Sequence, residues 1–315
     1  MSDNALFFVH ALTGLHPGGG SALGVIDLPI QRERHTDWPI IAGSSLKGVL
    51  RATCYGQFNG ADSEVLAAFG PETKNAADHA GAIAVTDARI LAFPVRSLTG
   101  VFAWVTCPAV LDRLSRDLTI LGSPPLKTSG PHDRDNAICN SESPLIASEG
   151  KIILEEFEFS VDSGDMTVAD WIADHAVKDN ATRRRLRKHL VVLHDDAFTH
   201  FVRNATEVVA RIGLNYEQKT VRKGALFYEE YLPAETLMYA LIICQDSRLA
   251  SCKMTAGEVL HWLKARDIET LQIGGGETTG KGFWCAVERR FFSCGCESRL
   301  VTVAPAGSGQ SGLWR

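Results

Sequence analysis

Three stretches of this chain carry residue types whose spacing suits chemistry on a polyanion. The first is Thr13-Gly14-Leu15-His16-Pro17-Gly18-Gly19-Gly20, a glycine-rich loop that brings backbone close to a ligand and holds one imidazole. The second is Ser44-Ser45-Leu46-Lys47-Gly48-Val49-Leu50-Arg51, read as a helix start capped by Ser44. Its free N–H groups favour anions, and Lys47 and Arg51 are neighbours one turn apart. The third is Gly274-Gly275-Gly276-Glu277-Thr278-Thr279-Gly280-Lys281-Gly282, a glycine cluster ending in a cation. Between the first two sits Asp27, a lone carboxylate among Val25, Ile26, Leu28, Pro29 and Ile30. Such an acid is either a turn cap or a functional group, and the residues alone favour the cap because buried acids are rare without partners.

Two familiar enzyme motifs are approached and not met. Ser44-x-x-Lys47 satisfies the serine-nucleophile pattern of penicillin-binding enzymes, but Lys127-Thr128-Ser129 is not its K-T-G companion and no S-D-N occurs. From Gly275 the glycine cluster nearly satisfies a P-loop, yet Gly282 stands where Ser or Thr should hold magnesium, and β-forming residues follow instead of a helix. What survives in both places is anion binding through backbone N–H groups and cations.

Two further basic segments stand out. Arg183-Arg184-Arg185-Leu186-Arg187-Lys188-His189 is the densest, and runs of this kind are usually a solvated helix face. Residues 208–232 interleave Arg211, Lys219, Arg222 and Lys223 with Tyr216, Phe227 and Tyr228, which suits a hairpin laid against a single nucleic-acid strand.

The elements that must hold these groups can be placed coarsely. Strands are expected over 5–12, 25–34 (edge-like because of Pro29), 81–94, 101–107, 151–159, 208–214, 224–231, 237–244 and 283–292. Helices are expected from Ser44, and over 62–69, 109–118, 168–176, 182–190, 196–204 and 256–265. Residues 122–150, with Pro-Pro, Ser-Gly-Pro and Ser-Glu-Ser-Pro, read as a loop-rich insertion. This alternation predicts an α+β fold with a sheet covered by helices.

The bulk numbers agree with a large globular chain. It has 315 residues, 45% of them hydrophobic, and a net charge of −5, so RNA binding would have to come from a local groove. No apolar run reaches the roughly 18 residues of a spanning helix, and no signal peptide is visible, which reads as cytoplasmic with no membrane partner. The eight cysteines are scattered without a CxxC pair, so they read as reduced thiols; Cys294-Gly295-Cys296 lacks a second ligand pair for zinc.

The pieces together resemble the RAMP superfamily of CRISPR effectors, whose hallmark is the C-terminal glycine loop, here Ile273 to Phe283. Gly24-Val-Ile-Asp-Leu-Pro-Ile-Gln-Arg-Glu-Arg-His-Thr36, then Pro39-Ile-Ile-Ala-Gly-Ser-Ser-Leu-Lys-Gly-Val-Leu-Arg51, is similar to the repeated backbone subunit of type III-B (Cmr) complexes. Leu226-Phe-Tyr-Glu-Glu-Tyr-Leu-Pro233 extends the likeness, and one departure is Ala42 where a proline is common. The resemblance implies a modified RRM-like (ferredoxin-like) palm as one domain over 1–303. It further implies a β-hairpin thumb near 205–228 and inserted lid regions near 55–82 and 122–150, while the Gly/Ser-rich stretch over 304–315 reads as a flexible tail. It implies copies stacked in a filament along a guide crRNA, with other Cmr subunits, and an endoribonuclease that cuts target RNA at regularly spaced, flipped-out nucleotides. Asp27 matches the acid of that reaction, with a divalent metal (Mg or Mn); His16 and Glu230 match positions nearby, Glu230 less securely because Glu229 adjoins it. Guide contacts would fall to Ser44, Lys47, Arg51, Gly274, Gly275, Gly276 and Lys281, with Arg211 and Arg222 on the thumb.

Overall fold

The computed structural model describes residues 3–22, 24–57, 63–215, 217–266 and 268–289. The expected tail over 304–315, Tyr216, the Cys294/Cys296 pair and part of the 55–82 insertion lie outside the described residues.

The strands in chain order are β1 Asp3–Ala11, β2 Ile40–Ile41, β3 Ile83–Val85, β4 Ala88–Arg96, β5 Phe102–Thr106, β6 Asn136–Cys139 and β7 Lys151–Leu154. They continue with β8 Phe157–Asp162, β9 Leu190–Leu193, β10 Glu207–Asn215, β11 Thr220–Tyr231, β12 Leu237–Cys244, β13 Thr270–Gln272 and β14 Phe283–Arg289. The helices are α1 Gly43–Gln57, α2 Ser63–Phe69, α3 Pro108–Ile120, α4 Thr167–Ala176, α5 Asn180–His189, α6 Asp195–Asn204 and α7 Ala256–Lys264.

β1 and β12 are nearly continuous apolar runs, and such runs need cover on both faces. They pair antiparallel in the middle of one mixed sheet, in the order β13-β14-β1-β12-β4-β5-β9-β6-β8-β7, with β2 beside β4 and β3 beside β12. Pairing is antiparallel from β13 to β5 and turns parallel at β5–β9 and β6–β8. Helices pack on this sheet to give one continuous core that includes Phe8, Leu50, Leu111, Ile172, Phe198 and Leu260. The α+β class is therefore correct. β10 and β11 leave the sheet as a separate two-stranded hairpin, whose alternate residues Val208, Ile212 and Leu214 are exposed.

Several expected elements differ in instructive ways. Residues 25–34 form no strand. Pro29 offers no N–H, and the segment makes three single bridges instead, Gly18–Ile30, Leu28–Glu229 and Arg32–Pro39. The 81–94 run divides at Thr86-Asp87 into β3 and β4. The 151–159 run folds back at Glu155, which takes φ +51, into the β7–β8 hairpin. The 122–150 insertion contains β6, and the end of the basic helix becomes β9; both are short apolar strands between longer polar stretches.

Candidate nucleic-acid interface

The two glycine loops, 258 residues apart at His16 and Gly274, lie against each other. Gly275 N donates to His16 O at 3.1 Å and Gly282 N to Gly14 O at 2.9 Å. Gly274 has φ +82, and an added Cβ would sit 2.1 Å from His16 O, so this contact requires glycine. The His16 ring is 8% exposed, and its Nδ1 lies 2.6 Å from Glu230 O. A carbonyl only accepts, so Nδ1 carries the proton and Nε2 is the basic nitrogen of the neutral ring. Nε2 faces Glu229 Oε1 at 3.8 Å.

Asp27 is held by the β10–β11 hairpin, where the sequence leads one to expect a thumb. Residues 27–30 run beside β11: Tyr228 N donates to Asp27 Oδ2 at 2.7 Å, Leu28 N to Tyr228 O at 3.0 Å, and Glu230 N to Leu28 O at 3.0 Å. Oδ1 has no partner among the described residues, and the side chain is half-buried. The cap reading was thus half the answer, since one oxygen caps a distant strand and the other is open.

The adjoining acids have different surroundings, because successive residues of a strand point to opposite faces. Glu229 and Tyr231 share the His16 face. Glu229 Oε2 accepts from Arg211 Nε at 3.1 Å and from the Tyr231 hydroxyl at 2.5 Å, and Arg211 Nη2 also donates to that hydroxyl at 2.6 Å. Burial and the Glu229 carboxylate push the Tyr231 phenol up. Glu230 points the other way. It is 3% exposed and takes Arg32 Nη2 at 2.5 Å, Thr206 Oγ1 at 2.8 Å and Ile30 N at 3.0 Å. The carboxylate beside the imidazole is therefore that of Glu229, while Glu230 reaches His16 through its backbone carbonyl alone. Tyr231 and Glu229 were legible in principle from the period-two pattern Glu229-x-Tyr231.

The cations divide in the same way. Lys281 Nζ stands 4.7 Å over the Tyr231 ring and 3.9 Å from Glu207 Oε2, and Arg211 is tied to Glu229. Arg222 is exposed towards the far end of the hairpin, away from this cluster. Ser44, Lys47, Gly48 and Arg51 share one face of α1, which carries no acidic residue. Lys47 has no ion pair among the described residues, and burial together with Arg51 pushes its ammonium below the usual lysine value. Arg51 Nη2 bonds Pro71 O at 3.0 Å. The helix begins one residue before the expected cap, at Gly43. Asp87 Oδ1 accepts Gly43 N at 2.8 Å, and a Cβ at Gly43 would meet Val85 O at 2.3 Å. Ser44 is exposed, and no hydrogen bond joins it to Lys47, which removes the geometric basis for a Ser–Lys nucleophile. Gln31, absent from the expected set, ties the helix start to the first loop: its amide donates to Gly18 O at 3.0 Å and accepts from Ala42 N at 3.3 Å.

Three arginines of the basic run of α5 are engaged within the chain, while Arg184 and Lys188 are exposed. Arg187 pairs with Asp170 and Asp174, Arg185 lies over Phe102 at 4.5 Å, and Arg183 bonds Val177 O at 2.7 Å.

Among the described residues no three His, Cys, Asp or Glu side chains gather so as to hold a metal ion. Glu229 and Glu230 are each paired with an arginine, while Asp27 Oδ1 has no partner among the described residues and Glu229 Oε1 faces His16 Nε2 at 3.8 Å. These residues do not make a resident divalent site.

A model of the RAMP superfamily matches residues 8–285. The chain belongs to the RAMP superfamily. Within it, the chain is 42% identical over 281 residues to the Cmr endoribonuclease Cmr4 of Pyrococcus furiosus, covering 87% of this chain and 92% of that one. It is 26% identical to the Cmr4 subunit of Saccharolobus solfataricus over 88% of this chain and 93% of that one. The crystal structure of oligomeric Cmr4 from Pyrococcus furiosus superposes with a TM-score of 0.71 at 33% identity, covering 92% and 99%. A chain of the type III-B Cmr-beta complex bound to cognate target RNA shares the fold, with a TM-score of 0.70 at 22% identity over 90% and 96%. Among the described residues of this RAMP chain, no helix is long and apolar enough to cross a membrane.

Proposed function

We propose that this chain is a backbone subunit of a cytoplasmic type III-B effector, one that binds a guide crRNA and cuts the paired target RNA beside its thumb. The observation that carries the reading is Asp27: one carboxylate oxygen is fixed on the thumb strand and the other is open, on a segment bonded to the first glycine loop through Ala22 N on Asp27 O and Gly19 N on Pro29 O. The Pyrococcus relative described as an endoribonuclease supports the activity, and its oligomer supports stacking of copies along the guide, together with other Cmr subunits.

The chemistry follows from the RNA's own 2′-hydroxyl. With the target nucleotide turned out of the duplex, that oxygen attacks the adjacent phosphorus in line, and the 5′-oxygen leaves. Asp27 Oδ1 takes the 2′-proton or holds its donor in place, and the charge that builds on the phosphate is met by Lys281, Arg211 and loop N–H groups. His16 Nε2, unprotonated in the tautomer its Nδ1 contact requires, can accept a hydrogen bond or a proton from the RNA, and the leaving 5′-oxygen takes its proton from water. Metal dependence is part of the same proposal. A divalent ion would arrive with the RNA phosphates, since the side chains here offer it Asp27 alone, and when bound it would supply charge stabilisation at the phosphate. Guide contacts are assigned to Ser44, Lys47 and Arg51 on α1 and to Gly274–Gly276, where backbone and cations bind phosphate irrespective of sequence and pairing supplies specificity.

The test is Asp27→Ala in the assembled complex with guide and target. Target affinity is expected to stay within about twofold, while cleavage at every regular position falls by about 10²–10⁴-fold. Regular cutting by that variant at the normal rate would overturn the assignment of Asp27. Complete loss of target binding would overturn the view that recognition and cutting are separable.

A further inference from the structure

We infer that the buried Arg32–Glu230 pair is a latch that carries the candidate acid on the thumb, making both residues positioning residues for cleavage. This rests on the assignment of Asp27 above.

The segment from Asp27 to Arg32 is held on two sides: palm loops bond its main chain, with Ala22 N on Asp27 O, Gly19 N on Pro29 O and Gln31 N on Pro17 O, and the thumb takes its other contacts. Asp27 Oδ2, Leu28 N and Leu28 O are all bonded to β11 main chain at Tyr228 and Glu230. Beyond these ladder bonds the segment has no regular strand to hold it, because Pro29 interrupts the pairing. The Glu230 carboxylate closes the gap. One oxygen takes Ile30 N, just past the proline, and the other takes Arg32 and Thr206. Arg32 in turn donates Nη1 to Asp37 O at 2.9 Å and Val202 O at 3.1 Å, and so joins the latch to the end of α6 and to the turn before β2. Both carboxylate oxygens of Glu230 and both terminal nitrogens of Arg32 have partners, as a buried charge requires. The acid therefore sits where the base of the thumb sits. Because the open Oδ1 belongs to a half-exposed loop residue with no side-chain partner of its own, its position is set by this latch, by the Tyr228 N–H and by the Ala22 N–H on its own carbonyl.

The consequence is kinetic. Loosening the latch leaves the guide and target surfaces intact but lets the acid wander, and a misplacement of ~1 Å costs about 10²-fold in rate. Glu230→Gln keeps the shape and one acceptor while removing the ion pair. Thr206→Val is the milder variant, deleting one hydroxyl donor at the thumb base.

The experiment uses the assembled complex and measures target affinity and single-turnover cleavage side by side, with amide exchange across the whole chain on the same samples. The expected result for Glu230→Gln is affinity within about twofold, cleavage slower by about 10²-fold, and faster exchange confined to Leu28, Ile30 and Tyr228. Thr206→Val should fall between it and the unaltered chain in both readouts. Unchanged cleavage in Glu230→Gln, with the Asp27→Ala complex inactive, would sink the latch and leave Asp27 standing. A parallel loss of binding and cleavage, or exchange rising throughout the palm, would show a general fold role and overturn the inference too. Normal cutting by Asp27→Ala would instead remove the assignment on which the latch rests.

Discussion

Gly274 is fixed by two constraints at once. Its φ of +82 lies where L side chains are strained, and an added Cβ would fall 2.1 Å from the His16 carbonyl oxygen. Neither constraint concerns a ligand, so the residue is needed even before RNA arrives. Gly274→Ala must push the two glycine loops apart at the point where Gly275 N meets His16 O, and the imidazole moves with them. The expected cost is about 1–3 kcal/mol of stability, from strain of the kind stored at such positions. It is read as a lowered melting temperature together with a loss of cleavage larger than the loss of guide affinity. By contrast Gly280, also at positive φ (+76), has nothing within 4 Å of an added Cβ, so an alanine there should disturb the backbone without parting the loops.

The turn leading into β2 makes a similar argument one level up. Burial alone would raise the Glu33 carboxyl, but the Thr36 hydroxyl and Arg113 outweigh it and hold it below the usual glutamate value. Arg113 Nη1 lies 2.9 Å from Glu33 Oε2, and its guanidinium covers the Trp38 ring at 4.8 Å. The turn is thereby pinned to α3. A carboxyl depressed in the folded state stabilises above its unfolded pKa, and that contribution is lost as pH falls through the folded value. Glu33→Gln should cost about 1–3 kcal/mol near neutrality, as for other hydrogen bonds to charged groups. The gap between variant and parent in thermal unfolding should then close as the pH is taken below the ordinary glutamate range; a gap independent of pH would refute the charge-based account.

Such long-range pairings explain what the sequence hid. The α+β class, the strands of the β10–β11 hairpin and the helices α3 to α7 were open to reading, because periodicity is a local signal, whereas the meeting of the two glycine loops, 258 residues apart, was not. The breaks at Thr86-Asp87 and Glu155 were not, since a period-two pattern continues through a tight turn. Nor was the separation of Glu229 from Glu230. Adjacent identical acids are told apart only by which face of β11 meets His16 and which meets Arg32, residues about 200 positions away in the chain. The basic run of α5 misleads for the same reason, as its carboxylate partners sit on the neighbouring helix α4.

A chain of net charge −5 can hold a polyanion only if its cations are unevenly spent. Here they are: Arg187 of α5 pairs with α4 and Arg183 with backbone, Arg32 and Arg113 serve Glu230 and Glu33, while the acid-free face of α1 keeps Lys47 without an ion pair among the described residues. If that face lies on guide phosphate, Lys47→Ala should weaken guide binding for any guide sequence alike and reduce the slope of log affinity against log salt by about 1. The same lysine should also give the affinity a pH dependence. Burial and Arg51 lower its pKa in the free chain, and a phosphate beside it would raise that pKa again. Affinity should therefore be full at low pH and decline as pH rises through the lowered free-state value, at less alkaline pH than an ordinary lysine would give. Lys47→Arg, which cannot lose its proton in this range, should bind guide with no such decline. Guide titrations at several salt concentrations and pH values separate the two effects: an unchanged salt slope for Lys47→Ala would take the guide off this helix face. A pH decline that persists in Lys47→Arg would assign the titration to another group.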